Sequence, residues 1–99
     1  MDRNALDQVS SWANRGTLRQ FQIEVQARLI DKQYASKIEG NTLTFYREEK
    51  EGDLLGIGGD LVQEPVAVFE EDERGMILLD EDTADPEFIE TLASELSQH

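Results

Sequence analysis

Apolar and polar positions follow clear periods along most of the chain, and the most informative stretch is residues 66–85. Two short apolar runs, residues 66–69 and 76–79, flank an acidic connector at residues 70–75. Apolar runs of this length around a polar, glycine-containing connector predict the two strands of a β-hairpin. More carboxylates follow at residues 80–82. A return strand of about five residues would hold the two acidic groups about 17 Å apart.

Both ends of the chain show the period of a helix. Residues 4–15 and residues 86 to about 98 each carry an apolar stripe with i, i+3/i+4 spacing. Asp85 is suited to cap the second helix, and Pro86 to be its first residue. We expect Trp12 to lie in the core. The stripes consist of Ala5, Leu6, Val9, Trp12 and Ala13 in the first helix, and Phe88, Ile89, Leu92, Ala93 and Leu96 in the second.

Residues 19–30 fit two structures. Every second position is apolar, which is the pattern of a strand with one buried face. Thr17 and Gln20, however, match a capping box, and the segment is rich in good helix formers. A helix would leave a second apolar side exposed, formed by Ile23, Ala27, Ile30 and Tyr34. Because that helix would require burial on two faces, the strand is the preferred interpretation.

The middle of the chain predicts further short strands. Residues 34–38 and 42–46 flank a Gly-Asn turn and are rich in β-branched and aromatic residues, which favours a hairpin. A charged turn at residues 47–53 leads into a short apolar piece that glycines interrupt at residues 56–59, which indicates a bend or bulge. Pro65 is expected at an edge or loop position.

These elements predict one small acidic α+β domain over residues 1–99. An N-terminal helix is followed by an antiparallel meander of about five strands and by an amphipathic C-terminal helix packed on the sheet. The two helices would cover one face of the sheet. The other face would be solvated or would form a homodimer with a second copy.

Charge narrows the partners that such a domain can have. The chain has 22 Asp and Glu residues against nine Lys and Arg, a formal net charge of −13. Direct contact with nucleic acid or with an anionic membrane needs clustered cations, so both are disfavoured. A basic protein surface is the natural complement. Adaptation of the whole protein to a saline host is the alternative interpretation of the same composition.

The residues needed for catalysis are sparse. Cysteine is absent, and the single histidine is His99 at the end of the chain. The run from Asp80 to Asp85 fails the spacing of a calcium-binding loop, and the glycines of residues 56–59 fail that of a phosphate-binding loop. We therefore expect no enzyme activity, no metal and no cofactor. With no membrane-length apolar run and no signal-like start, a cytoplasmic protein is expected.

The pattern predicts a non-enzymatic protein-binding module, such as an inhibitor, an immunity or antitoxin-like protein, or a small chaperone or adaptor. It would engage a basic partner surface through the acidic hairpin. The candidate partner-binding residues are Glu70, Glu71, Asp72, Glu73, Asp80, Glu81 and Asp82. The alternative is a nucleic-acid mimic, in which these carboxylates imitate phosphates and block a DNA- or RNA-binding protein.

Overall fold

Three helices lie on one face of a four-stranded antiparallel sheet in the computed structural model, which describes residues 3–30, 32–50 and 61–97. The α+β class and the helices at both ends of the chain are confirmed, with four strands in the described residues where about five were predicted. The predicted short strand and glycine bend at residues 54–59 lie outside those residues. In chain order the elements are α1 (Arg3–Ala13), α2 (Leu18–Arg28), β1 (Tyr34–Glu39), β2 (Thr42–Lys50), β3 (Leu61–Glu71), β4 (Ile77–Leu79) and α3 (Pro86–Ser97).

The sheet is a meander with strand order β1-β2-β3-β4, so every strand pairs with its neighbours in the chain. The predicted β1–β2 hairpin is confirmed, and its turn contains Gly40 at a φ of 61°. This left-handed conformation carries a steric penalty for residues with a Cβ atom, which glycine avoids. β1 and β4 are the two edge strands of the sheet.

Pro65 occupies a different place from the one predicted. It lies inside β3, a central strand, opposite Tyr46. The register of β2 against β3 shifts between Phe45 and Tyr46, next to this proline. Proline has no N–H to donate to the ladder, and a bulge is where a strand tolerates that loss.

The segment predicted as a strand over residues 19–30 is the helix α2, and the strand prediction is wrong. Thr17 caps the helix, because its Oγ1 accepts a hydrogen bond from the backbone N–H of Gln20 at 3.1 Å. The helix and its C-cap bury one apolar side, with Leu18, Phe21, Val25 and Leu29 at most 6% exposed. Of the second apolar side, Ile23 and Ile30 are 61% and 80% exposed, whereas Tyr34 lies in β1 and packs against the core.

Helices α1 and α3 bury the stripes that the sequence predicted. Of the α1 stripe, Ala5, Leu6, Val9 and Ala13 are buried, and all five stripe residues of α3 are buried. Trp12 is half-buried and packs against the core, with the guanidinium carbons of Arg15 and Arg28 at 4.2 and 5.1 Å from the ring centroid. The indole thus joins the ends of α1 and α2 through cation–π contacts.

The core lies between the helices and the inner face of the sheet, and phenylalanines join the two layers. Phe21 of α2 meets Phe69 of β3 and Phe45 of β2 with ring centroids 5.0 and 6.2 Å apart. Phe45 also meets Phe69 at 5.8 Å and Phe88 of α3 at 5.4 Å. Aromatic pairs at these distances add about 0.5–1.5 kcal/mol each beyond the burial of area.

Asp85 fixes α3 to the sheet. Its backbone N–H donates to the carbonyl of Val66 at 2.8 Å, and its Oδ1 accepts from the backbone N–H of Glu87 at 3.3 Å, as predicted for a helix cap. Arg47 of β2 forms an ion pair with the same carboxylate, and this hydrogen bond raises the pKa of Arg47. The start of α3 is therefore tied to both central strands.

The outer face of the sheet carries a mixture of polar and apolar side chains. Residues opposite one another in a ladder share a face, so Lys37, Thr44 and Val68 lie in one row across three strands. Glu70 and Leu78 form the next pair toward the β4 edge. None of the described helices covers this face.

Candidate functional site

The acidic turn of the β3–β4 hairpin is organised by one of its own carboxylates. Asp72 Oδ1 accepts hydrogen bonds from the backbone N–H groups of Arg74 and Met76, both at 2.9 Å. The backbone N–H of Asp72 donates to the carbonyl of Met76 at 2.9 Å, and Gly75 adopts a φ of 81°. Asp72 is thus a turn-forming residue as well as a source of charge, because aspartate readily bonds to backbone groups close by in sequence.

A second carboxylate closes the bend after β4. Asp80 Oδ1 accepts from the backbone N–H of Asp82 at 3.1 Å, and its Oδ2 accepts from the hydroxyl of Thr83 at 2.7 Å. Glu81 instead pairs with Arg3 of α1 at 3.2 Å, and both side chains are largely exposed. An exposed pair of this kind contributes about 0–1 kcal/mol, so it restrains Glu81 only weakly.

The strand that separates the two acidic groups is shorter than predicted. β4 has three residues, not about five, and three strand residues span about 10 Å. Glu70 lies opposite Leu78 in the ladder, and the backbone N–H of Asp80 donates to the carbonyl of Val68 at 2.9 Å. Ladder-type hydrogen bonds continue on both sides of β4, from Met76 to Asp80, and the separation of about 17 Å between the acidic groups stays a prediction.

One shallow depression on the outer face of the sheet gathers residues from both acidic groups. Glu70, Asp72 and Asp80 line it together with the apolar side chains of Val68, Leu78 and Leu79. The other four candidates, Glu71, Glu73, Glu81 and Asp82, do not line it. The structure thus selects three of the seven predicted carboxylates as one group.

Several carboxylates of the hairpin are open to a partner. Glu70, Glu73 and Asp82 are exposed, and no Lys or Arg of the described residues lies within ion-pair distance of them. Glu71 is half-buried at the end of β3, where its carbonyl accepts from the side-chain amide of Asn41 at 2.8 Å. The charge of the hairpin is therefore concentrated on its turn and on its outer face.

Two exposed apolar residues of the hairpin were not singled out by the sequence analysis. Leu78 is 52% exposed and Met76 is 50% exposed, whereas Ile77 between them is buried at 1%. The signal was present in the sequence, because strict alternation in a strand that buries Ile77 turns both neighbours outward. Carboxylates and exposed apolar side chains thus occupy the same surface.

A side chain at the end of α1 bonds to the free edge of β4 at Ile77. Asn14 Oδ1 accepts a hydrogen bond from the backbone N–H of Ile77 at 2.8 Å, and its Nδ2 donates to the Ile77 carbonyl at 2.9 Å. The amide thereby makes the two bonds that a residue of a neighbouring strand would make. This contact fixes the hairpin against α1.

Within the described part of the chain, no three His, Cys, Asp or Glu residues are placed to hold a metal ion together. No helix found in those residues has the length and apolar character needed to cross a membrane. Compared with protein-family models, with curated proteins and with solved structures, the chain matches none of them.

Proposed function

We propose that the protein is a non-enzymatic binding module that holds a basic partner surface with the outer face of its β3–β4 hairpin. The observation that carries this proposal is the grouping of Glu70, Asp72 and Asp80 around the half-exposed Leu78. Two of these carboxylates are fixed by turn hydrogen bonds, so their positions are set before a partner arrives.

The carboxylates would provide attraction and orientation. Opposite potentials raise the rate of association and exclude partners of the wrong sign, more than they raise affinity. The exposed Glu73 and Asp82, which follow Asp72 and Asp80 closely in sequence, add further charge. The complementary surface is one that presents Lys or Arg side chains.

Leu78 and Met76 would provide the anchor. Binding energy at protein interfaces is concentrated in a few well-packed side chains, with charged groups around them. The expected partner therefore carries an apolar spot surrounded by cations, for example the side of a basic amphipathic helix.

The test is affinity capture from a native lysate with two variants of equal charge. Glu70→Lys combined with Glu73→Lys reverses two charges of the hairpin. Glu87→Lys combined with Glu90→Lys makes the same charge change on α3. We expect the hairpin pair to lower recovery of the partner about tenfold at low salt, and the α3 pair to lower it much less.

Two results would contradict the proposal. Equal losses with both pairs of substitutions would show that only net charge matters. Unchanged capture with both pairs, together with stability that rises steeply toward molar salt, would favour adaptation to a saline host.

A substitution of the anchor separates attraction from packing. Leu78→Ser keeps every charge of the surface, so we expect weaker capture with an unchanged dependence on salt. Recovery measured over a salt series for this variant and for the hairpin charge reversal checks the difference.

A further inference from the structure

The edge strand β1 leaves backbone groups without a partner among the described residues. The Glu48 N–H donates to the Gln33 carbonyl at 2.9 Å. This bond shows which residues of β1 direct their backbone groups toward β2. In an antiparallel ladder alternate residues point their N–H and C=O groups toward the neighbouring strand. The N–H and C=O groups of Ser36 and Ile38 therefore point outward. The carbonyl of Tyr34 also points outward, while its N–H donates to the carbonyl of Lys32.

The exposed apolar side of α2 lies beside this edge. The side-chain amide of Gln22 donates to the Ser36 hydroxyl at 3.0 Å, which shows which side of α2 faces β1. With 3.6 residues per turn, Ile23 lies about 100° from Gln22 around the helix axis, and Ile30 follows the C-terminal end of the helix. Ile23 is 61% exposed and Ile30 is 80% exposed, and Ala27 between them is also exposed.

Charge permits self-association on the α2–β1 side of the molecule. Residues 15–39 contain five Lys and Arg against three Asp and Glu, although the whole chain carries −13. Without Arg15 and Arg28, which stack on Trp12 at the α1 side of α2, the segment has three cations and three carboxylates. Two copies would repel one another through any carboxylate-rich face. The α2–β1 side is where they can approach.

We propose that two copies of this chain associate through their β1 edges, with Ser36 at the two-fold axis. In this register the Ser36 groups of the two copies exchange two hydrogen bonds, and each Ile38 N–H donates to the partner's Tyr34 carbonyl. Tyr34 then lies beside the partner's Ile38, an aromatic and β-branched pair of the kind that stabilises sheets. A second copy is the occupant because the edge is self-complementary, as a two-fold interface must be.

The dimer would be an eight-stranded sheet with the two α2 helices side by side across the axis. Ile23 and Ile30 of each copy would then be covered by the equivalent helix. A six-residue strand is about 20 Å long, so the contact falls at the small end of specific interfaces. Association is therefore expected at micromolar or higher concentrations.

The experiment is sedimentation velocity on the purified full chain, up to about 1 mM protein and at about 0.15 M salt. Ile23→Glu puts a charge on the exposed α2 side, where the fold does not need isoleucine. Ser36→Pro removes an outward N–H that β2 does not use. Leu78→Glu is the matched control, because Leu78 is 52% exposed on the opposite side of the sheet.

We expect the wild-type chain and Leu78→Glu to form dimers, and Ile23→Glu to weaken dimerisation at least about tenfold. We expect Ser36→Pro to weaken dimerisation as well. Circular dichroism checks that this variant folds. If proline unfolds the strand, the result for Ile23→Glu alone tests the dimer. A wild-type chain that stays monomeric throughout overturns the proposal. So does a dimer that Ile23→Glu leaves intact, or one that only Leu78→Glu disrupts. The binding function of the hairpin is independent of all these results.

Discussion

The two edge strands of the sheet differ in length and in the bonding of their outward backbone groups, although both end an antiparallel meander. β4 has three residues, and the outward groups of Ile77 are bonded by Asn14. β1 has six residues, and no described residue bonds to the outward backbone groups of Ser36 and Ile38. Proteins usually shorten, charge or cover an edge to prevent unwanted pairing. β4 is short and is bonded at Ile77, whereas β1 is longer and, among the described residues, is available for pairing at Ser36 and Ile38.

The charge around the two edge strands also differs. The β4 side carries the acidic hairpin, whereas on the α2–β1 side cations and carboxylates are balanced. A net charge of −13 is therefore an average over two unlike surfaces. The comparison suggests that one side recruits a partner and the other joins two copies.

Amide exchange should show the largest difference between the edges. In the Ile23→Glu variant, which we expect to be monomeric, the Ile77 N–H still donates to Asn14, whereas those of Ser36 and Ile38 face water. We expect exchange at Ile77 to be about 100-fold slower, equivalent to about 2.8 kcal/mol. Hydrogen–deuterium exchange by NMR measures this, and equal rates would show that the edges are equally open.

Removing the protection of β4 should have the next largest effect. Asn14→Ala deletes both bonds to Ile77, and we expect a loss of about 2 kcal/mol in the free energy of unfolding. Asn14→Asp is the control, because it keeps an acceptor for the Ile77 N–H and should lose less. Urea denaturation measures both, and an unchanged midpoint for the alanine variant would mean that Asn14 does not hold the edge.

On the other side, stability depends on the cap of α2. Thr17→Ala removes the oxygen that accepts from Gln20, and we expect a loss of about 1 kcal/mol. Thr17→Ser keeps the hydroxyl and should remain near the wild type. Thermal denaturation of both variants checks this, and equal melting temperatures for the two would exclude a capping role.

The smallest effect is expected from the ion pair on β1. Lys37 lies 2.7 Å from Glu39, and their hydrogen bond lowers the pKa of Glu39 and raises the pKa of Lys37. Any stabilisation by this ion pair is lost only as the pH falls through the lowered pKa of Glu39 or rises through the raised pKa of Lys37. Because both side chains are exposed, Glu39→Gln should leave the urea midpoint unchanged across neutral pH. A clear shift of the urea midpoint would mean that this ion pair stabilises the β1 edge.

Local signals were enough to predict the parts of the fold that depend on neighbours in sequence. The stripes of α1 and α3, the cap at Asp85 and the turn at Gly40 follow from helical period, capping and backbone preference. α2 was mispredicted because its alternation suited a strand equally well. The capping signal at Thr17 was the correct one, and the exposed Ile23 is the feature that produced the ambiguity.

The candidate site was only partly predictable. Clustering of carboxylates is visible in the sequence, but the turn hydrogen bonds of Asp72 and Asp80 depend on the length of β4. The closure of β4 by Asn14 joins residues 63 positions apart, which no local pattern encodes. The meander order was predicted, but the first edge strand was not, because residues 19–30 were taken for a strand and form α2.

Trp12 gives the molecule an optical probe in a useful place. It is the only tryptophan, and it is stacked near Arg15 and Arg28 where α1 meets α2. Its fluorescence therefore reports whether these two helices remain together. An emission shift during titration with a partner would reveal movement at the helix junction, without a label on the acidic hairpin or on β1.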